Sequence, residues 1–393
     1  MTPSLLSPLP SPQHSTGAVQ RAFDLCLAKT RTNIRDLNAQ PTTWAFAPDG
    51  DYATWNEGFF EIGNWTTSFF TGMSLLAWQD TEDEYYLKQV ERLDPLYRAK
   101  LGKHGADTMH DLGFLYSLYA VPLYQLTCDD RHRELGILAA EALAARFVPA
   151  GNYIRAWGRM DESDSAYAGL AIIDCMMNLP LLYWASSESG DPRFREIAIR
   201  HSDMTLQYFI REDDSVFHSY RFDLATGAPA GGDNYCGRDV DSHWARGTTW
   251  AMYGFAIGYR HTGDARYLDA ALRVTRKFIS LLDEEIVPIW DFRLLDGEEP
   301  LRDSSAAAVA ICALQELQAL DAADEGMIAL KDALLARLCS EDYLDKNPNC
   351  RGLLKFAEVG DGVGRARSAY TSWGDYYFME GLARELAMPV TWW

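Results

Sequence analysis

The sequence is poor in positive charge: 36 lysines and arginines stand against 56 aspartates and glutamates, a formal net charge of −20. This acidity excludes nucleic acids and anionic membranes as main partners. No apolar run reaches the ~18 residues that a membrane span needs, and the beginning, MTPSLLSPLPSPQHSTG, has no basic region typical of an export signal. We expect a cytoplasmic protein that is a monomer or a weak oligomer.

Motifs for disulfides, metals and nucleotides are missing as well. The seven cysteines are odd in number and show no CxxC spacing, which favours free thiols in a reducing compartment. The chain contains no HExxH or other metal-ligand spacing, no Walker motif and no dinucleotide-binding glycine pattern. We therefore expect no metal and no cofactor.

Most of the remaining chain follows helical periodicity. Residues 1–18 are rich in proline and serine and predict a flexible arm, whereas 19–393 predict a single domain. Apolar patterns predict helices near 18–37, 64–80, 83–101, 111–126, 132–147, 164–186, 192–210, 244–261, 265–283, 304–320, 325–340 and 370–387.

Two interruptions break this pattern. Residues 211–240 alternate polar and aromatic side chains around ATG and GG turns, which predicts a β-hairpin or an extended loop. Residues 284–303, with the segment IVPIWDF, predict a short strand pair. Because nothing else favours a sheet, the predicted class is all-α.

Every second predicted helix brings polar and aromatic residues toward its N-terminal end, whereas the others carry ordinary charged faces. These segments begin with Asn64 and Trp65, His110 and Asp111, DSHWARG, RDSSAAA or TSWGDYY, and the sixth helix holds Asp174. Alternation over twelve helices predicts six hairpins in a double ring, an (α/α)6 barrel. Parallel inner helices would then gather their N-termini, which favour anions, around one mouth.

Two carboxylates are the candidate catalytic groups. Asp174 lies in the apolar stretch 163–187, where an ionised carboxylate is costly unless it is paired or its pKa rises. It is therefore either a satisfied core residue or a tuned acid, and Pro180 predicts a kink in its helix. Asp111 either complements a helix dipole or forms a pair with Asp174 that separates their pKa values.

Aromatic and basic residues are candidates for binding a sugar. Arg246 and Trp250 stand four residues apart on one predicted helical face, close to Trp244, which suits either a sugar carboxylate or a structural cation–π pair. His218 lies on the long hairpin, as a ligand or a solvated loop residue. Trp65 and Trp157 line a sugar site or belong to the core. Asp303, before Ser304 and Ser305, predicts an N-cap.

An ordered set of motifs supplies a family resemblance. HDLGF (110–114), IIDCMMNLPLLYWA (172–185), DSHWARGTTWAMYG (241–254), DSSAAAVAICALQEL (303–317) and WGDYYFMEGL (373–382) resemble the unsaturated glucuronyl hydrolases, glycoside hydrolase family 88. The resemblance implies an (α/α)6 barrel acting on oligosaccharides that bear a 4,5-unsaturated uronate at the non-reducing end. It implies that Asp174 is the acid/base and Asp111 its partner. The same resemblance makes six residues the sugar pocket: Trp65, Trp157, His218, Trp244, Arg246 and Trp250.

The resemblance also implies the reaction. Asp174 protonates C4 of the enol ether, the same residue then activates a water that adds at C5, and the hemiketal opens. Arg365 and Arg367 are candidates for a sulfate or carboxylate on the next sugar, or solvated loop residues. The alternatives are an unsaturated rhamnogalacturonyl hydrolase, a conventional glycosidase that uses two carboxylates at the anomeric carbon, and a non-catalytic carbohydrate-binding protein.

Overall fold

The computed structural model describes residues 12–39, 42–52, 56–162, 165–360 and 368–393. Within these ranges, seven α-helices surround the axis of a barrel and are buried on nearly every side. The inner helices are α2 (Thr67–Thr81), α5 (Leu112–Ser117), α6 (Ala120–Thr127), α8 (Leu179–Ser189), α10 (Ala245–Thr262), α12 (Ser304–Ala319) and α14 (Ser372–Glu385). In α12, every residue from Ser304 to Leu317 is buried.

The outer ring consists of helices that bury one stripe only, as Tyr267, Ala270, Ala271, Val274 and Phe278 do in the eleventh helix. The outer helices are α1 (Pro12–Ala39), α3 (Glu84–Glu91), α4 (Asp94–Leu101), α7 (Asp130–Ala144), α9 (Pro192–Tyr208), α11 (Ala265–Ser280) and α13 (Glu325–Leu338).

Contacts between neighbouring inner helices close the ring. Helix α2 contacts α5, α5 contacts α8, α10 contacts α8 and α12, α12 contacts α14, and α14 returns to α2. The inner helices from α2 to α12 also pack on the next outer helix along the chain, and α14 packs on α1 and α13. The predicted all-α class and the (α/α)6 barrel are therefore confirmed.

The two rings differ at their helix N-termini. Five outer helices, α3, α7, α9, α11 and α13, begin after an aspartate whose side chain accepts a hydrogen bond from a backbone N–H of the first turn; these are Asp83, Asp129, Asp191, Asp264 and Asp324. Five inner helices, α2, α5, α6, α8 and α10, have no side-chain cap. Their first turns keep a partial positive potential directed toward one end of the barrel.

Short strands lie at the ends of the barrel. They are β1 (Thr42–Trp44), β2 (Phe46–Ala47), β3 (Asn56–Gly58), β4 (Phe147–Val148), β5 (Tyr153–Ile154), β6 (Leu170–Ile172), β7 (Ser219–Phe222), β8 (Pro229–Asp233) and β9 (Tyr370–Thr371). The pairs β1–β3, β2–β9 and β4–β5 are antiparallel, and β6, β7 and β8 form a three-stranded sheet. The hairpin predicted within 211–240 is β7–β8, and the break at 284–303 contributes only isolated bridges such as Ile289 with Arg302.

Several predicted boundaries were wrong. Helix α1 already begins at Pro12, so residues 12–18, predicted as part of a flexible arm, are helical, and residues 1–11 lie outside the described residues. The predicted helix 83–101 is interrupted after Glu91, before the proline in the first turn of α4. The predicted helix 111–126 is divided by Leu118 and Tyr119.

The largest correction concerns the predicted helix 164–186. Residues Leu170–Ile172 form β6, which pairs with β7, and Ile173–Met177 form a turn of 3₁₀-helix. Helix α8 starts only at Leu179, and Pro180 occupies its first turn, where proline is well tolerated, so it causes no kink. Pairing with the hairpin overrides a local apolar pattern that suits a helix and a buried strand equally.

Candidate active site

The barrel opens at one end into a cavity of about 270 Å³ at the N-terminal ends of the inner helices. Two carboxylates, several aromatic rings and a buried arginine meet there. The lining consists of Ala45, Phe46, Ile62, Gly63, Trp65, Met109, His110, Asp111, Trp157, Gly158, Tyr167, Ile172, Asp174, His218, Tyr235, Cys236, Trp244, Arg246, Val359 and Trp373.

Asp111 sits at the start of α5, where it is buried and makes no capping bond with its side chain. Its position depends on Asn178, which accepts a hydrogen bond from the backbone N–H of Phe114 at 2.8 Å and donates to the carbonyl of Asp174 at 3.2 Å. Gly113 allows this approach, since a Cβ there would lie 2.2 Å from the Cα of Asn178. One amide side chain thus joins the elements that carry the two carboxylates.

Asp174 lies on the 3₁₀ turn between β6 and α8, not in the middle of a regular helix. The residue is half-buried and faces the cavity, while its Oδ2 is buried without a hydrogen-bond partner in the described part of the chain. A buried carboxylate oxygen without a donor favours the protonated acid. The sequence prediction that Asp111 and Asp174 share one site agrees with this geometry.

Both carboxyls have a raised pKa, chiefly because they are buried. Burial raises the pKa of Asp174 to about 6, against an opposing effect from Arg246. Burial, with a contribution from the charge of Asp174, raises the pKa of Asp111 to about 8, while Arg146 and Asn178 lower it. The sequence assigned the raised pKa of Asp174 to both burial and Asp111, but burial dominates. Interacting groups release protons in steps that belong to the pair, so near neutral pH the pair holds one proton.

Arg246 is not an uncompensated cation. Its guanidinium forms an ion pair with Asp303 at 2.8 Å and donates to the carbonyl oxygens of Glu358 at 2.6 Å and Val359 at 2.8 Å. It lies over the rings of Trp244 and Trp373, 4.6 and 5.2 Å from their centroids. Arg246 therefore lines the cavity with its charge already balanced, and the residue predicted as a plain N-cap, Asp303, is its counter-ion.

His218 is a neutral donor toward the cavity. Its Nδ1 accepts hydrogen bonds from the backbone N–H groups of Tyr235 at 2.9 Å and Cys236 at 3.3 Å. A neutral imidazole that accepts at Nδ1 carries its proton on Nε2. Burial lowers the pKa of His218 to about 3, so this tautomer persists at physiological pH. The ring packs edge-on against Trp244, whose Nε1 is buried without a partner in the described residues.

Aromatic rings form two walls. Trp65 stacks on Trp373 with centroids 4.9 Å apart, and Trp157 packs edge-on against Tyr235 at 4.6 Å and Tyr167 at 5.6 Å. Such rings present flat apolar faces that suit sugar rings. Sequence reasoning missed Trp373, Tyr235 and Tyr167 as wall residues, although the WGDYY segment was a detectable signal for the first.

Trp250 is the one predicted pocket residue that does not line the cavity. It is completely buried below it, packed against Phe114 at 5.4 Å and Tyr377 at 5.3 Å. The four-residue spacing from Arg246 places both on one helical face, but only the first turn of α10 reaches the cavity. Arg365 and Arg367 lie outside the described residues.

The described ranges contain neither a candidate metal site nor a candidate membrane-spanning helix. They contain no group of three or more histidine, cysteine, aspartate or glutamate side chains arranged to hold a metal ion. Across the same ranges, no helix combines the length and apolar character required to span a bilayer. None of the seven cysteines, all of which lie in the described ranges, takes part in a disulfide.

Comparisons with known proteins identify the family of this chain. The sequence model of Glycosyl Hydrolase Family 88 matches residues 38–345. The unsaturated glucuronyl hydrolase of Bacillus sp. (strain GL1) is 34% identical over 82% of this chain and 86% of that protein, and its crystal structure, at 31% identity over 93% of this chain and 96% of that one, gives a TM-score of 0.85.

Two streptococcal relatives extend the comparison. The unsaturated chondroitin disaccharide hydrolase of Streptococcus pyogenes serotype M1 is 32% identical over 93% of this chain and 90% of that protein. A variant of unsaturated glucuronyl hydrolase from Streptococcus agalactiae, solved in complex with dGlcA-GalNAc6S, gives a TM-score of 0.77 at 26% identity, covering 99% of this chain and 96% of that one. The chain therefore belongs to glycosyl hydrolase family 88 and is an enzyme that hydrolyses glycosidic bonds.

Proposed function

We propose that the enzyme removes a 4,5-unsaturated uronate from the non-reducing end of oligosaccharides produced by polysaccharide lyases. The observation that carries this proposal is that two carboxyls with raised pKa values, Asp111 and Asp174, line one aromatic cavity. An enol ether needs a strong enough acid to protonate carbon, and a carboxyl whose pKa lies near the working pH serves first as acid and then as base.

The proposed reaction is a hydration. Asp174 donates its proton to C4, the double bond is lost, and positive charge develops at C5 and the ring oxygen. The carboxylate so formed removes a proton from water as the water oxygen bonds to C5, which regenerates the acid. The hemiketal then opens to a ketone at C5, and the resulting hemiacetal at C1 releases the downstream sugar as an alcohol.

Supporting roles follow from the contacts. The pair holds one proton near neutral pH, and in the form that carries it on Asp174 the ionised Asp111 stabilises the positive charge that develops on the sugar ring. Asn178 joins the segments that carry the two acids. The Nε2–H of His218 is placed to donate to a substrate hydroxyl or carboxylate. Trp65 with Trp373, and Trp157 with its tyrosine neighbours, hold the sugar rings by stacking.

The anionic group of the uronate is suited to the N-terminal ends of the uncapped inner helices. Helices α5 and α10 begin at the cavity-lining residues Asp111 and Trp244, and their first turns without side-chain caps favour negative charge there. Arg246 adds a positive charge there, although most of its hydrogen bonds go to the protein. We propose that it recognises the carboxylate together with these helix ends rather than alone.

The names of the relatives favour lyase-derived glycosaminoglycan disaccharides, of the chondroitin type, as the substrate class. None of these comparisons supports a rhamnogalacturonan substrate or conventional cleavage of saturated sugars. We further propose a cytoplasmic location and a monomeric or weakly oligomeric state without nucleic-acid or membrane partners, in keeping with seven cysteines that form no disulfide and the net charge of −20.

The decisive experiment measures loss of the enol-ether absorbance when the enzyme meets unsaturated disaccharides from chondroitin, hyaluronan and heparin, each with and without sulfate. Product analysis by mass spectrometry in H₂¹⁸O distinguishes the mechanism, since hydration places the label at C5 of an open-chain keto acid. Label at the anomeric carbon of the released uronate would instead indicate conventional cleavage. Unchanged absorbance across the whole panel would refute the proposed substrate class.

A further inference from the structure

A second arginine, which no sequence pattern singled out, lies directly behind the cavity. Arg146 follows the end of α7 and is only 2% exposed. Every hydrogen bond of its guanidinium in the described structure goes to a backbone carbonyl: Nε to Arg155 at 2.9 Å, Nη1 to Thr108 at 2.7 Å, and Nη2 to Ala156 at 3.2 Å and Gly158 at 2.9 Å.

These carbonyls belong to two segments that both enter the cavity. Thr108 lies three residues before Asp111, and Ala156 and Gly158 flank Trp157. The backbone N–H of His110 also donates to the carbonyl of Ala156 at 3.0 Å. One planar guanidinium therefore joins the segment that carries a proposed catalytic carboxylate to the loop that carries a sugar-stacking ring.

The charge of Arg146 is also notable. Within the described ranges it forms no ion pair, whereas Arg246 is paired with Asp303. A buried cation without a counter-ion at contact distance is costly, so Arg146 acts on the ionisable groups nearby. The carboxyl whose pKa it lowers is Asp111, and Asp111 in turn favours the charged form of Arg146. Arg146 also lowers the pKa of the buried Cys175 thiol, which burial raises.

We infer that Arg146 is a positioning residue of the active site, which fixes the Asp111 segment against the Trp157 loop and offsets the negative charge of Asp111. The inference rests on the proposed function, because it assigns Asp111 to the reacting pair. Other titratable groups that act on Asp111 or face it are Lys100 from α4, His110 from its own segment, and Asp174 and Cys175 from the 3₁₀ turn.

Three variants separate charge from geometry. Arg146→Met removes both the charge and the hydrogen bonds, and Arg146→Lys keeps the charge without the planar fork. Arg155→Met is the matched control: Arg155 is 3% exposed and donates to the carbonyls of Trp157 and Glu162, so it supports the same loop. Arg155 is not among the groups that shift the pKa of Asp111.

We expect all three variants to raise KM about tenfold, since each removes or weakens charge-assisted hydrogen bonds that hold the Trp157 loop. Only the two Arg146 variants also lower kcat, because only they release the Asp111 segment. Only Arg146→Met moves the alkaline limb of the kcat–pH profile upward, by roughly one unit, since loss of a positive charge raises the pKa of Asp111, the higher of the two.

The controls test the proposed function, the electrostatic role of Arg146 and its positioning role separately. Turnover by the wild type is measured in parallel, so an inactive wild type refutes the proposed function, whereas an active one leaves the test of Arg146 valid. If Arg146→Met has an unshifted profile, or if Arg155→Met shifts equally, the electrostatic role is refuted. If Arg146→Met does not fold by circular dichroism, Arg146→Lys decides: wild-type KM and kcat in that variant would overturn the inference.

Discussion

Arg246 and Asp303 form a buried ion pair between the first turns of two neighbouring inner helices, with 2.8 Å between Nη1 and Oδ2. The other oxygen of Asp303 accepts the backbone N–H groups of Ser305 and Ala306, at 3.0 and 3.3 Å, and of Glu358 at 3.3 Å. One carboxylate thus caps α12, anchors the loop at 358 and holds the arginine over its tryptophan rings. The wall of the cavity depends on this single residue.

Replacing Asp303 by asparagine should therefore be costly, although the side chains have the same shape. Removing one partner of a buried ion pair leaves an uncompensated charge, and we expect a loss of about 3–5 kcal/mol in the free energy of unfolding. Urea denaturation measures it. The matched control is Asp324→Asn, which replaces the cap of an outer helix where asparagine caps as well as aspartate. Equal stability of the two variants would contradict a structural role for the pair.

Asp174→Asn should abolish turnover while substrate binding remains. The amide cannot donate the proton, and loss of a general acid lowers kcat by about 10²- to 10⁴-fold, whereas the aromatic walls are unchanged. Absorbance at the enol-ether band measures turnover, and quenching of tryptophan fluorescence measures binding. A variant that retains wild-type kcat would exclude Asp174 as the proton donor.

The carboxyl pair should make the fold less stable as pH rises. The folded-state pKa values, about 6 for Asp174 and about 8 for Asp111, lie above the ordinary value of 3.8. The contribution of these two groups to the stability of the fold is therefore fully present below pH 4 and is lost as the pH rises through their folded pKa values. At pH 8, Asp174→Asn and Asp111→Asn should melt at higher temperature than the wild type.

A melting-temperature series from pH 4 to pH 8 checks this sign. The advantage of the asparagine variants should disappear toward pH 4, where both acids are neutral in the folded and the unfolded chain. An advantage that grew on acidification would mean that the carboxylates are stabilised by partners, with depressed pKa values. Asp324→Asn, which changes a carboxylate outside the cavity, is the control for the effect of an Asp→Asn substitution itself.

The barrel was predictable from sequence because each inner helix is buried on nearly every side and each outer helix on one stripe. This difference repeats at every second helix, and it survives errors of several residues in the boundaries. The ends were less predictable. Around Asp174, the apolar run from Leu170 to Met177 fits a buried helix and a buried strand equally, and only pairing with β7 selects the strand.

Contacts between distant segments were beyond the sequence. The four-residue spacing between Arg246 and Trp250 shows that they share a helical face. The counter-ion of Arg246, however, is Asp303, 57 positions away in the sequence. Asn178 and Arg146 act through backbone groups, which carry no residue-specific signal. Sequence reasoning therefore found the two acids and part of the aromatic wall, and missed the residues that hold them in place.

Trp244 and Trp250, both near the start of α10, test which tryptophans belong to the sugar pocket. Trp244 lines the cavity and has a buried Nε1 without a partner in the described residues, whereas Trp250 packs between Phe114 and Tyr377 below it. Trp244→Phe should raise KM about tenfold, since it removes a donor and ring surface near the sugar. Trp250→Phe should leave KM unchanged and lower the unfolding free energy by about 1–3 kcal/mol, because it leaves a cavity in the core. Steady-state kinetics and urea denaturation of both variants give the answer, and equal increases in KM would place Trp250 back among the sugar-binding residues.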